Sequence, residues 1–141
     1  MKKFRFELQD ILDFRKFEQQ QAEIELGKAL AKERGILAKI TSLQVRQIKI
    51  AEDMRGSFDF RDIMSAYRFS DFARAQTEYF LTEMADAQSQ SNEKREVLRR
   101  AMQKTDSLER LKEAQMEEYR SAEMIEMDNI IDDIVTAHFG K

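Results

Sequence analysis

The chain has 141 residues, 36% of them charged and 42% hydrophobic, with a formal net charge of -3 and a mean hydropathy of -0.65. That is the length of one domain, too polar for a thick core and too apolar and periodic for disorder. Cysteine is absent, which excludes disulfides, a thiol nucleophile and sulfur metal sites, and no apolar run approaches the roughly eighteen residues that cross a membrane.

In chain order, Met1-Lys2-Lys3 is followed by Phe4-Arg5-Phe6-Glu7, whose charges break the apolar stretch a signal peptide needs. A first helix is expected over about 5–54. From Ala22 to Met54, one stripe runs through Ala22, Leu26, Ala29, Glu33, Ile36, Ile40, Leu43, Gln47, Ile50 and Met54 in alternating steps of three and four. That spacing keeps a seam against a partner helix in a left-handed supercoil. Leu8, Ile11, Leu12 and Arg15 extend the stripe toward the N-terminus, with Phe4, Phe6, Phe14 and Phe17 beside it. Gly27 and Gly35 each cost roughly 1 kcal/mol relative to alanine, so packing rather than propensity must hold this helix.

The chain has no proline, and Gly56-Ser57-Phe58-Asp59 is its one turn-like cluster. Gly56 suits the left-handed residue that ends a helix. Asp59 is a good N-cap, with Asp62 against the positive end of the helix dipole. Phe58 and Ile63 are placed as a hydrophobic staple. The turn is thus set at about 55–59 and a second helix at about 60–138, with a break near 70, where Ser70-Asp71 could cap a new helix, as the alternative.

The second helix carries Phe80, Met84, Ala87, Ser91, Lys94, Leu98, Ala101, Thr105, Leu108, Leu111, Gln115, Tyr119 and Ala122 at seam positions. Beyond Ala122 the spacing loosens into a wider face of Met127, Ile130, Ile131, Ile134, Val135 and His138, and Gly140 lies just past the expected end. The expected fold is therefore all-α: one coiled-coil domain, a long antiparallel two-helix hairpin. At 1.5 Å per residue the helices would be roughly 75 and 110 Å long, the second outrunning the first by about twenty residues. Small seam residues bury little area and polar ones weaken a seam while fixing its register, so only moderate stability is expected.

Charge supports the antiparallel arrangement. Residues 1–50 hold 11 Lys/Arg against 7 Asp/Glu, whereas 116–141 hold 2 against 7, and folding back would lay the acidic tail beside the basic first helix. Exposed pairs contribute only about 0–1 kcal/mol each. No concentrated basic face suggests nucleic acid.

Catalysis has little to work with. His138, the single histidine, sits in the final turn, where a cation suits the helix C-terminus. Asp132-Asp133 and Glu117-Glu118 are adjacent and diverge around a helix. There is no phosphate-binding glycine loop and no nucleophile–base pair. The chain reads as a non-enzyme without cofactor or metal.

Two apolar surfaces invite partners. Phe69, Ala73, Phe80, Met84 and Ala87 form one stripe, and Phe72, Gln76, Tyr79 and Glu83 a second beside it, together spanning about 140°. Either a short third helix or the turn covers the flank, or another protein docks there through its aromatic anchors. At the other end, Phe4, Phe6, Phe14 and Phe17 either pack against Ile130, Ile131, Ile134 and Val135 or form a tip that fits a ring.

The run Phe4-x-Phe6-x-Leu8-x-x-Ile11-Leu12-x-x-Arg15 resembles the opening of the FliJ family, small coiled-coil proteins of the flagellar type III export apparatus. So do Phe69-x-x-Phe72, Leu108-x-x-Leu111 and the charged helix ending in Glu126-x-Asp128. The resemblance covers nearly the whole chain. It implies an antiparallel coiled coil like the central shaft of rotary ATPases, with its paired termini inserted in a hexameric export ATPase. It also implies contact with a membrane export-gate protein, recycling of export chaperones, and a cytoplasmic position peripheral to the inner membrane at the flagellar base. Carried over by position, the ring-facing end is Phe4, Phe6 and Leu8 with Ile131, Ile134 and His138. The gate face is Phe72, Gln76, Tyr79 and Glu83; Gln76 replaces an apolar residue there and Glu83 a basic or polar one. The expected role is a shaft that promotes ATPase assembly and activity and couples it to the gate. The alternatives are an export chaperone or adaptor that binds client helices, and a structural coiled-coil dimer.

Overall fold

The computed structural model describes residues 2–56 and 59–139. It holds two long helices, α1 (Gln9–Asp53, 45 residues) and α2 (Phe60–Phe139, 80 residues), which pack against each other as an antiparallel hairpin. There is no strand among the described residues. The chain forms two compact units, one of Ala22–Leu98 and one of Met1–Gln21 with Arg99–Lys141.

In the Ala22–Leu98 unit the seam lies where the three–four spacing puts it. All ten stripe residues of α1 from Ala22 to Met54 are buried or half-buried. Ile36 and Ile40 close on Ala87, with Phe80 and Met84 packed against this cluster. Ala73 and Ser91 are fully buried; their short side chains let the helices approach closely. The Ser91 hydroxyl lies within hydrogen-bond reach of the Glu33 carboxylate across the hairpin and of the Gln88 carbonyl, which share its single proton. Lys39 sits 5.5 Å from the Phe80 ring centroid and Arg46 5.0 Å from that of Phe69, so the cations on α1 use the aromatic faces on α2.

The turn follows its local chemistry. The Met54 amide donates to the Ile50 carbonyl, the Arg55 amide to that of Glu52, and Gly56 takes φ = +81°. Asp59 caps α2, its Oδ1 accepting the Arg61 amide at 3.0 Å. The proposed staple partner Phe58 lies outside the described residues, as do Ser57 and Gly140. The helix is continuous through Ser70-Asp71, where Phe69 and Ser70 are half-buried and Ala73 is buried, so packing holds it through this stretch. The alternative break near 70 is absent.

Glycines separate into two kinds here. A Cβ at Gly27 or Gly35 would meet nothing within 4 Å, and both are exposed on α1. Gly35→Ala is expected to stabilise the protein by up to about 1 kcal/mol. Gly56→Ala, at a left-handed φ, is expected to cost about 1–2 kcal/mol. Urea denaturation followed by circular dichroism should move the two midpoints in opposite directions.

In the unit containing both chain ends, α1 starts at Gln9 rather than near residue 5. The residues before it belong to no regular element, with a turn at Glu7-Leu8. Phe4, Phe6 and Leu8 alternate at period two, which suits an extended segment better than a helix. Phe6 is buried and its carbonyl accepts the Gln9 amide. Leu12, Ala101 and Thr105 complete the core. Thr105 satisfies its hydroxyl on the Ala101 carbonyl one turn earlier. Across the helices Lys112 donates to the Gln9 side chain at 2.8 Å, and Lys16 lies 3.8 Å from Glu109.

Three expectations for this unit are corrected. Leu111 is 40% exposed and Lys112 half-buried in its place, because the seam steps from Leu108 by four rather than three. Ala122 is exposed. The acidic tail does not lie beside α1: the N-terminal segment reaches as far as Tyr119, whose hydroxyl donates to the Lys2 carbonyl and whose ring is 5.7 Å from Phe4. From Arg120 to Phe139 every residue is exposed.

Candidate partner-docking surfaces

The first candidate surface is the end of α2. Phe4 is half-buried against Tyr119, Phe6 is buried and Leu8 half-buried. Ile131 and Ile134 are more than half exposed, and His138 is exposed in the last turn, its ring 6.4 Å from Phe139. Ile131 lies twelve residues past Tyr119 on one helix, or roughly 18 Å at 1.5 Å per residue. The structure therefore does not bring together the six residues that the resemblance assigns to a ring-facing end. Phe4, Phe6 and Leu8 belong to the packed base, and Ile131, Ile134 and His138 to the uncovered extension. Phe14 and Phe17 are exposed on α1, so the expected packing of the phenylalanines against Ile130, Ile131, Ile134 and Val135 is not formed.

The second surface lies in the Ala22–Leu98 unit. Phe69, Ala73, Phe80, Met84 and Ala87 point into the seam. Phe72 and Tyr79 are exposed by 53% and 57%, while Gln76 and Glu83 are half-buried at the seam's edge. No third helix covers them among the described residues. The stripe is braced by its neighbours: the Phe72 ring lies 6.3 Å from Phe69 and the Tyr79 ring 5.6 Å from Phe80. The Glu83 carboxylate accepts the Tyr79 hydroxyl one turn away, which raises the phenol above its usual range, and its negative charge pushes in the same direction. Tyr79 thus presents an exposed aromatic ring with a polar tip beside Glu83.

Some surface was not anticipated. Beside the turn, a cavity of about 470 Å³ opens between Gln47, Ile50, Met54, Ile63, Tyr67 and Phe69. A second of about 440 Å³ lies between Ile50, Met54, Asp62, Ala66 and Phe69. Phe60 to Ser65 are all exposed, so the helices have not yet closed on each other there. On α1, Leu37, Val45 and Ile48 are exposed by more than half; they sit outside the three–four stripe and could have been read as a second face.

Among the described residues no group of three or more His, Asp and Glu side chains could hold a metal, and no helix is long and apolar enough to cross a membrane. No family model, curated protein or solved structure matches the chain.

Proposed function

We propose that this chain is a non-enzymatic component of the flagellar protein export apparatus, a shaft that enters the hexameric export ATPase and couples it to the membrane export gate. The observation that carries the reading is the end of α2. A helix that leaves its packed base at Tyr119 and continues uncovered to Phe139 has the form of an element made to be received by another protein. The resemblance of the N-terminal and central motifs to the FliJ family supplies the identity of that receiver. Ile131, Ile134 and His138 would contact the ring directly, and Phe4, Phe6 and Leu8 would hold the base that supports them. One asymmetric helical element in a symmetric ring contacts each subunit differently and so biases their nucleotide states. Phe72 and Tyr79, with Gln76 and Glu83 at their edge, would meet the gate. The place of work is the cytoplasmic face of the inner membrane at the flagellar base.

The polar seam favours a second reading. Ser91, Thr105 and Glu33 occupy positions where a tight coiled coil carries leucine or isoleucine, and a seam that separates easily suits an adaptor for export chaperones or client helices.

The test is ATP hydrolysis by the flagellar export ATPase, titrated with this protein while ring assembly is followed by light scattering. Stimulation that saturates near one chain per six ATPase subunits is expected. Absence of both binding and stimulation would overturn the shaft reading in favour of the adaptor.

A further inference from the structure

We propose that the uncovered end of α2 docks one amphipathic helix of another protein, a helix whose apolar stripe is bordered by lysine and arginine. This deepens the reading above and rests on it only for the claim that this end is received by a partner.

The face is well defined. At 100° per residue, Met127, Ile130, Ile131, Ile134, Val135 and His138 cover one side of the helix, roughly 140° wide. Each of the five aliphatic side chains is about half exposed or more. A single partner helix seated on this face would cover Met127, Ile131, Ile134 and His138 at its centre, with Ile130 and Val135 at its two margins. The side chains are large and unbranched or β-branched apolar groups, and no charged residue interrupts them between Met127 and His138 on that side.

The borders specify the partner. Asp128 and Asp132 flank the face on one edge and Asp133 on the other, and residues 121–139 contain no lysine or arginine. A partner helix with cations at both edges of its stripe would meet carboxylates at both edges of this one. The same borders disfavour the other occupants. A second copy paired here would set carboxylates against carboxylates, and an anionic lipid surface would be repelled. The protein's own N-terminal segment is already committed: Phe4 and Lys2 are engaged at Tyr119, short of the face.

The experiment uses the full chain and two fluorescein-labelled synthetic helices of equal length and identical leucine stripe. One helix has Lys/Arg borders and the other has Glu borders. Fluorescence anisotropy at physiological salt is expected to give at least about tenfold tighter binding for the basic helix. The double variant Ile131→Ser/Ile134→Ser, whose sites are exposed and outside either core, should weaken that binding by about tenfold or more. Asp128→Lys/Asp132→Lys should erode the preference for the basic helix. The proposal is overturned if the basic helix binds the Ile131→Ser/Ile134→Ser variant as well as the parent, which would reduce the effect to simple counter-ion attraction. It is also overturned if sedimentation equilibrium finds a dimer of the parent chain that the same variant abolishes, which would make a second copy the occupant. Because no ATPase is present, peptide binding and ATPase stimulation can succeed or fail separately.

Discussion

Ile36→Asp is expected to abolish cooperative folding of the Ala22–Leu98 unit, while Leu37→Asp one position away leaves it nearly unchanged. Ile36 is 5% exposed and sits with Ile40, Ala87, Phe80 and Met84, whereas Leu37 is 55% exposed. A carboxylate at Ile36 would be enclosed by apolar side chains with no cation in the cluster. It must either stay charged without solvent or bind a proton, and the penalty is at least about 3 kcal/mol. A seam built on alanines and serines has little reserve, so a loss of that size removes a large part of the stability. Thermal melts followed at 222 nm should show a collapsed transition for the first variant and a near-parental one for the second. Equal damage from both would mean that α1 does not present Ile36 to the partner helix.

Leu12→Ala is expected to lower stability by about 2–5 kcal/mol. Leu12 is 1% exposed and shares its core with Phe6, Ala101 and Thr105. Ile11→Ala is the internal control: Ile11 is 46% exposed, and its loss should cost no more than about 0.5–1 kcal/mol. Urea denaturation would read both. A near-neutral Leu12→Ala would mean that the N-terminal segment adds little to the packing of this unit.

The two pairs of neighbours also mark how far the residues could be read before the structure was known. The α1 seam was legible because Ile36, Ile40 and Leu43 sit at steps that only a supercoiled helix brings to one side, while Leu37 falls outside them. The α2 seam was legible down to Leu108 for the same reason. At Leu111 the reading slipped by one residue, because Lys112 can lie its aliphatic stem along the seam and carry its ammonium to Gln9; an apolar-first reading does not consider lysine there. The start of α1 was misplaced because the phenylalanine-rich run was assigned to the helical period although Phe4, Phe6 and Leu8 alternate. The acidic tail stays exposed beyond Tyr119 because opposite net charge on two segments is too weak a force, about 0–1 kcal/mol per exposed pair, to hold them together without an apolar seam. For the candidate surfaces, pattern alone separated Phe72 and Tyr79 from the seam. It could not tell whether the isoleucines after Tyr119 were covered, since spacing on one helix does not record what packs against it.

Across the hairpin, Arg46 lies over Phe69, Lys39 over Phe80 and Glu33 on Ser91; as numbers fall along α1 they rise along α2. The two strands of this pairing are therefore geared like the teeth of opposing racks. Removing one residue from α1 turns everything beyond it by about 100°, and removing seven turns it by only about 20°. Yet even a seven-residue excision slides every later tooth past its mate unless α2 loses seven at the matching place. The length of the Ala22–Leu98 unit can therefore be edited only in paired heptads, one cut on each side of Gly56.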